Sequence, residues 1–231
     1  METTFKDVTA KTAVKEKEAA KDDRKNKGKE QEVAVEVEPN TGIRFPVRLD
    51  DGKSLNCVGL LKNSVIGFKF NIYGFGIYGD NNKLKDLLKA NFKKSLTKPT
   101  KEMYELVIDS DVEVMVNVVF VYSSFTVGKL KAAFEATLGG MVKKLNGGKK
   151  NDELVKRVMS QATNDTGLTT GTVMEVSRLP GYVLRTKVAG EVVGRVESEL
   201  LCRAYMHMYL GDTPVDKGAK EKFGVSLLSL F

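Results

Sequence analysis

The chain has one histidine, two cysteines and no tryptophan in 231 residues, and each scarcity removes a class of mechanism. A single imidazole, His207, excludes a His-rich metal site and leaves at most one base for a Ser/His or Cys/His mechanism. Lying between Met206 and Met208 with no partner carboxylate at a readable spacing, it reads as a packed or boundary residue. Cys57 and Cys202 are far apart and form no CxxC pair, so no disulfide framework is encoded and a reducing compartment is expected. No apolar run approaches the roughly 18 residues that a membrane helix needs; the longest, such as Val118 to Tyr122, are strand-length. The first residues have neither a basic start followed by an apolar core nor an Arg- and Ser-rich, acid-poor composition, so neither a secretory signal nor a transit peptide is expected in this chain.

Residues 1–38 also lack Leu, Ile, Tyr and Trp, and carry 9 basic against 10 acidic side chains. Such a segment cannot bury enough surface to offset an ordering entropy of about 1 kcal/mol or more per residue, and its balanced charge makes it no polybasic arm. It reads as a solvated, disordered tail before one domain spanning 39–231. The basic excess, net +7 for the whole chain, therefore falls on the folded part, as single Lys and Arg residues among acids. That pattern is a solvated surface, with no nucleic-acid partner implied.

Within the domain, Ile43 to Leu49 and Ser54 to Leu61 read as strands around the Asp51-Gly52 turn, and Lys69 to Ile77 as a longer strand followed by a short helix to Phe92. Met103 to Ile108 and Val112 to Tyr122 read as strands. Thr126 is an expected N-cap for a long helix with Leu130, Phe134, Leu138, Met141 and Leu145 on one face, and Asn151 caps the next. A three-strand meander over 171–196 precedes a helix stopped by Gly211 and a last short helix. Strands grouped together, with helices between the groups, predict an α+β fold with a large, mainly antiparallel sheet backed by helices.

Gly74-Phe75-Gly76-Ile77-Tyr78-Gly79 matches GxGxxG after a strand and before a helix. A dinucleotide site is rejected because Phe75, Ile77 and Tyr78 continue the strand through the glycines and their bulk would crowd a pyrophosphate. The glycines instead let the strand bend or let another segment approach closely. On this strand Lys69, Asn71, Tyr73, Phe75 and Ile77 share one face, while Phe68, Phe70, Ile72, Gly74, Gly76 and Tyr78 share the other. A strand apolar on both faces is covered on both. Tyr73 stands out because a half-buried phenol offers a donor to an acid group.

The run Lys69 to Asp80, KFNIYGFGIYGD, and the stretch Gly194 to Val215, GRVESELLCRAYMHMYLGDTPV, resemble the central strand and the closing strand, helix and Asp-Pro turn of chalcone isomerase-like proteins. The resemblance covers roughly 40–231 and is nearest to the non-catalytic plant fatty-acid-binding branch, which has tyrosine at the position of Tyr73 where the flavonoid-forming isomerases have threonine. The family places an arginine on the preceding strand; here that place falls on Leu60 or Leu61, in Val58-Gly59-Leu60-Leu61-Lys62. The isomerases also use a tyrosine and a lysine near the start of the long helix, whereas this chain reads Phe125-Thr126-Val127-Gly128-Lys129. Chalcone cyclisation is therefore not expected.

What the resemblance implies is a non-enzymatic protein that binds a long-chain fatty acid or similar amphiphile in an apolar cleft, in the chloroplast stroma of a plant, with no cofactor and no metal. Tyr73 would orient the acid end, with Lys69 or Lys62 offsetting its charge. Lys62 and Leu61, being adjacent on a strand, are not expected to face the pocket together. The alternative is an auxiliary protein of the same family that binds enzymes of flavonoid synthesis, with a protein partner in place of a lipid.

Overall fold

The computed structural model describes residues 33–65, 68–93, 96–121, 125–163 and 167–231. Most of the expected tail lies outside the described residues, but its end does not. β1 (Val35–Val37) pairs antiparallel with β2 (Arg44–Pro46), so ordered structure begins before the expected boundary at residue 39. Val33, Val35 and Val37 alternate with small and acidic residues, a strand period that the charged composition of the segment obscured. The buried Glu38 carboxylate closes this hairpin, accepting hydrogen bonds from Asn40 Nδ2 at 2.7 Å and Thr41 Oγ1 at 2.6 Å.

Six strands form the main sheet. β3 (Ser54–Val65) and β4 (Phe68–Gly79) make a long hairpin; β5 (Val114–Phe120) joins β4, and the meander β8 (Val173–Leu179), β9 (Val183–Val188) and β10 (Glu191–Glu197) completes the order β10-β9-β8-β5-β4-β3, with every neighbour antiparallel. The short strands β6 (Phe125–Thr126) and β7 (Gly167–Leu168) form a separate pair. With its helices this is the α+β architecture expected from the grouping of strands.

Helices cover one face. They are α1 (Asn81–Asn91), α2 (Lys101–Asp109), α3 (Val127–Leu145), α4 (Asp152–Lys156) running into a 3₁₀ turn (Arg157–Met159), α5 (Glu199–Leu210) and α6 (Lys217–Leu228). All six begin on a side-chain cap: Asp80, Thr100, Thr126, Asn151, Ser198 and Asp216 each accept a backbone N–H of the first turn, a bond worth about 1 kcal/mol. The helix α5 is the hub, with eight of its twelve residues buried and with α2 and α3 packed against it. The core joins its Leu201, Met206 and Tyr209 to Val114, Val116, Val118 and Phe120 of β5.

The expected strand Met103 to Ile108 is helix α2 instead. Met103, Tyr104, Val107 and Ile108, the buried residues, fall one and four apart, which is the helical period, and Thr100 supplies the cap. The end of α2 is held by the fully buried Arg178 of β8. Its Nη1 donates to the carbonyls of Val107 at 3.0 Å and Ile108 at 2.9 Å, and its Nε to that of Val112 at 2.9 Å.

Two glycines of β4, Gly74 and Gly76, serve contact on the face away from the helices. A Cβ on Gly74 would stand 2.8 Å from Ile43 Cδ1, and one on Gly76 2.9 Å from Phe45 Cδ1. The β1–β2 hairpin and the residues joining it thus lie directly on bare backbone, and the GxGxxG pattern runs through an unbroken strand with no phosphate-binding turn. Both cysteines are free and buried.

Candidate ligand-binding cavity

Between the helical face of the sheet and helices α3 and α5 lies a cavity of about 290 Å³. Leu61 and Lys62 of β3, Ile72 and Tyr73 of β4, Phe120 of β5 and Met174 of β8 form its floor. Its roof is Leu130, Ala133, Phe134 and Thr137 of α3, with Met208 and Tyr209 of α5 and Val215 closing one side. Tyr73, Phe120, Phe134, Met174, Met208 and Tyr209 are buried, whereas Lys62, Ala133 and Thr137 are exposed. The cavity therefore has an apolar interior and a mouth at the last three.

A break in strand register builds the floor. Leu61 pairs with Tyr73 and Lys62 with Asn71, so β4 carries one extra residue, Ile72, which has no partner across the ladder. Such a bulge interrupts the alternation of faces and bends the strand. On β4 the adjacent Ile72 and Tyr73 both line the cavity, and Leu61 and Lys62 of β3 line it as well. Leu61 and Lys62 both line the cavity although they are adjacent on β3, with Leu61 partly buried and Lys62 exposed at the mouth.

Of the three expected ligand-binding residues, Tyr73 sits in the buried part and Lys62 at the mouth; the side chain of Lys69 lies outside the described residues. Of the two leucines at the place of the family arginine, Leu61 lines the cavity and Leu60 does not. Leu60 pairs with Gly74, and its N–H donates to the Asp216 carboxylate at 3.0 Å, pinning the edge strand to the cap of α6. Among the described residues, Lys62 is the only charged side chain that lines the cavity. Arg178 is buried too, but its guanidinium is occupied by the carbonyls around the end of α2.

Sequence reasoning missed the phenols of α5. Tyr205 and Tyr209 are one helical turn apart, a spacing visible in the sequence, with ring centroids 5.4 Å apart. Tyr209 packs edge-on to Phe75 at 5.1 Å, while Tyr73 packs edge-on to Phe120 at 5.9 Å. Burial, and next the neighbouring Tyr209 phenol, push Tyr73 well above the ordinary tyrosine range. Burial first, and then Tyr205, do the same to Tyr209. Tyr205 is raised as well, again chiefly by burial, and its phenol lies beside that of Tyr209. The inner end of the cavity is thus a set of protonated phenols, able to donate or accept hydrogen bonds and held away from the phenolate state.

The residues at the positions of the isomerases' helix-start groups are occupied otherwise. The Thr126 hydroxyl accepts the Lys129 N–H as the cap of α3, and the exposed Lys129 does not line the cavity. His207 faces Glu105 of α2, with Nε2 3.8 Å from a carboxylate oxygen, and is likewise absent from the lining. No helix among the described residues is long and apolar enough to cross a membrane.

A family model described as chalcone isomerase-like matches residues 66–223. Chalcone isomerase-like protein 1 of Humulus lupulus is 54% identical over 200 residues, covering 86% of this chain and 94% of that protein. Fatty-acid-binding protein 1 of Arabidopsis thaliana is 33% identical over 191 residues, covering 81% of this chain and 68% of that one. The crystal structure of an Arabidopsis thaliana fatty-acid binding protein matches with a TM-score of 0.78 at 30% identity, over 85% of this chain and 98% of that one. The family model, the sequence relatives and the solved structure agree: the chain belongs to the chalcone isomerase-like family.

Proposed function

We propose that this protein is a non-catalytic plant binding protein that holds a fatty acid or similar long-chain amphiphile in the cavity between β4 and α5. The carrying observation is an apolar space of about 290 Å³ with hydrogen-bonding phenols inside it and an open mouth. That volume is near the lower end of ligand pockets, roughly 300 Å³. At about 30 Å³ per small group it admits on the order of ten methylene-sized units. Each buried methylene contributes about 0.8 kcal/mol, so the chain alone supplies roughly 8 kcal/mol before the costs of association are subtracted. Longer tails emerge past Lys62 and Thr137. Relatives named fatty-acid-binding proteins support the reading.

The absence of catalysis rests on what surrounds the cavity. An acid–base mechanism needs a group that ionises near the working pH, and burial moves Tyr73 and Tyr209 away from that range. The chloroplast stroma is the compartment that the resemblance brings, and fractionation of tagged protein tests it. For the binding function, protein purified from its own cells is analysed by native mass spectrometry and organic extraction. A co-purified aliphatic amphiphile, lost in Tyr73→Phe combined with Lys62→Ala, is the expected result; an empty cavity overturns the reading.

A second reading is favoured by the 54% identity to a relative named for its likeness to chalcone isomerase and by leucine at the place of the arginine. In that reading the protein is an auxiliary that binds enzymes of flavonoid synthesis. An empty cavity together with a stable, stoichiometric enzyme partner in the same purification selects it.

A further inference from the structure

Three observations on the cavity bear on which end of a ligand enters it and what charge that end carries. First, the buried polar groups at its inner end are phenols. Tyr73 and Tyr209 line it, at 9% and 3% exposure, and Tyr205 stands behind Tyr209 at 1%. Second, among the described residues no cation accompanies them. Leu61 faces Tyr73 across the strands, Arg178 is engaged elsewhere, and Lys62 is exposed at the mouth. Third, every other side chain lining the cavity is apolar except Thr137, which is also at the mouth.

A carboxylate placed against the phenols would lose its water and gain neutral donors but no opposite charge, which leaves most of its desolvation uncompensated. Turning the ligand around brings the carboxylate to Lys62. There, an exposed ion pair returns little, while the alkyl end is driven against hydroxyls that it cannot satisfy. An uncharged head avoids both penalties. A hydroxyl or carbonyl oxygen accepts from Tyr73 or Tyr209 and asks for no counter-ion, and an alcohol also donates.

We infer that the cavity selects amphiphiles with an uncharged, hydrogen-bonding head, such as a fatty alcohol or ester, seated inward against Tyr73 and Tyr209, over the same chain ending in a carboxylate. This rests on the binding function proposed above and narrows the class of ligand. The leucine at position 61 is its specificity determinant: across the strands from Tyr73 it offers no charge to an ionised head.

The full-length chain is titrated calorimetrically with 1-decanol, methyl decanoate and sodium decanoate at pH 8, where the acid is ionised. Decanol and the ester are expected to bind at least tenfold more tightly than decanoate. In Tyr73→Phe combined with Tyr209→Phe the decanol affinity falls towards that of decanoate, and in Leu61→Arg the preference reverses. Should the arginine variant fail to fold by circular dichroism, Leu61→Lys carries the same test. Equal affinity for decanol and decanoate in the unmodified protein overturns the selection and leaves the binding function standing. Measurable binding of none of the three ends both.

Discussion

The size of the cavity sets a break in the dependence of affinity on chain length. About 290 Å³ divided by roughly 30 Å³ per small group leaves room for on the order of ten carbons, so each added methylene up to that point passes from water into contact with Phe120, Phe134, Met174 and Met208. At about 0.8 kcal/mol per methylene the dissociation constant drops roughly fourfold per carbon. Beyond about ten carbons the chain reaches the mouth at Lys62, Ala133 and Thr137, all exposed, and further methylenes stay in water. A calorimetric series of primary alcohols from hexanol to hexadecanol is therefore expected to show a steep limb and then a plateau. Met174→Ala extends the enclosed space by about three heavy atoms and moves the break two to three carbons later. A slope that continues undiminished to hexadecanol refutes the bounded cavity, and a flat series from hexanol onward refutes the placement of the chain inside it.

Three further outcomes follow from the packing. Arg178→Met leaves the carbonyls of Val107, Ile108 and Val112 without their donor, which outweighs the relief of not burying a guanidinium; we expect a loss of about 3 kcal/mol, read as a fall in Tm of roughly 6–12 °C. A Cβ on Gly194 would stand 1.9 Å from the Val158 carbonyl oxygen, so Gly194→Ala must displace the 3₁₀ turn over β10 and costs about 3 kcal/mol in a urea titration, whereas alanine at Gly139, where nothing lies within 4 Å, leaves the midpoint in place or raises it. Burial holds His207 below its ordinary range against the opposing pull of Glu105, so the unfolded chain takes up a proton more readily; stability is complete above about pH 6.5 and declines as pH falls below it, and that part of the pH dependence is absent in His207→Gln measured in parallel.

Elements whose chemistry is local were legible in the sequence. The long helix α3 is announced by Thr126 and by apolar residues three and four apart, and both features are in the structure. The meander β8–β10 was legible from its turns, where Gly181 and Gly190 take positive φ. Helix α2 was not, because its buried residues Met103, Tyr104, Val107 and Ile108 are mostly good strand formers and six residues are too few to separate a period of two from one of 3.6. Its tertiary anchor, Arg178, comes from a strand far along the chain. The site divides the same way: the face of β4 identifies Tyr73, whereas Tyr209 and Tyr205 reach it from α5 through packing that no local pattern encodes. Lys62 was disfavoured by strict alternation, yet it stands at the exposed mouth of the cavity.

The bulge and the bare glycines of β4 have complementary effects. At Gly74 and Gly76 the strand gives up side chains, so that Ile43 and Phe45 seal one face and hold the backbone in place. A few residues earlier it gains the unpaired Ile72, which joins Tyr73 in lining the cavity. A strand covered on both sides by packed side chains has little freedom to collapse into the space beside it, so the opening persists without a ligand to prop it. The phenols inside are then fixed by edge-on ring contacts before anything binds, and the entropy of ordering them is already spent in folding. Such pre-organisation favours retention of a ligand of matching length and head group. The same enclosure keeps the phenols protonated.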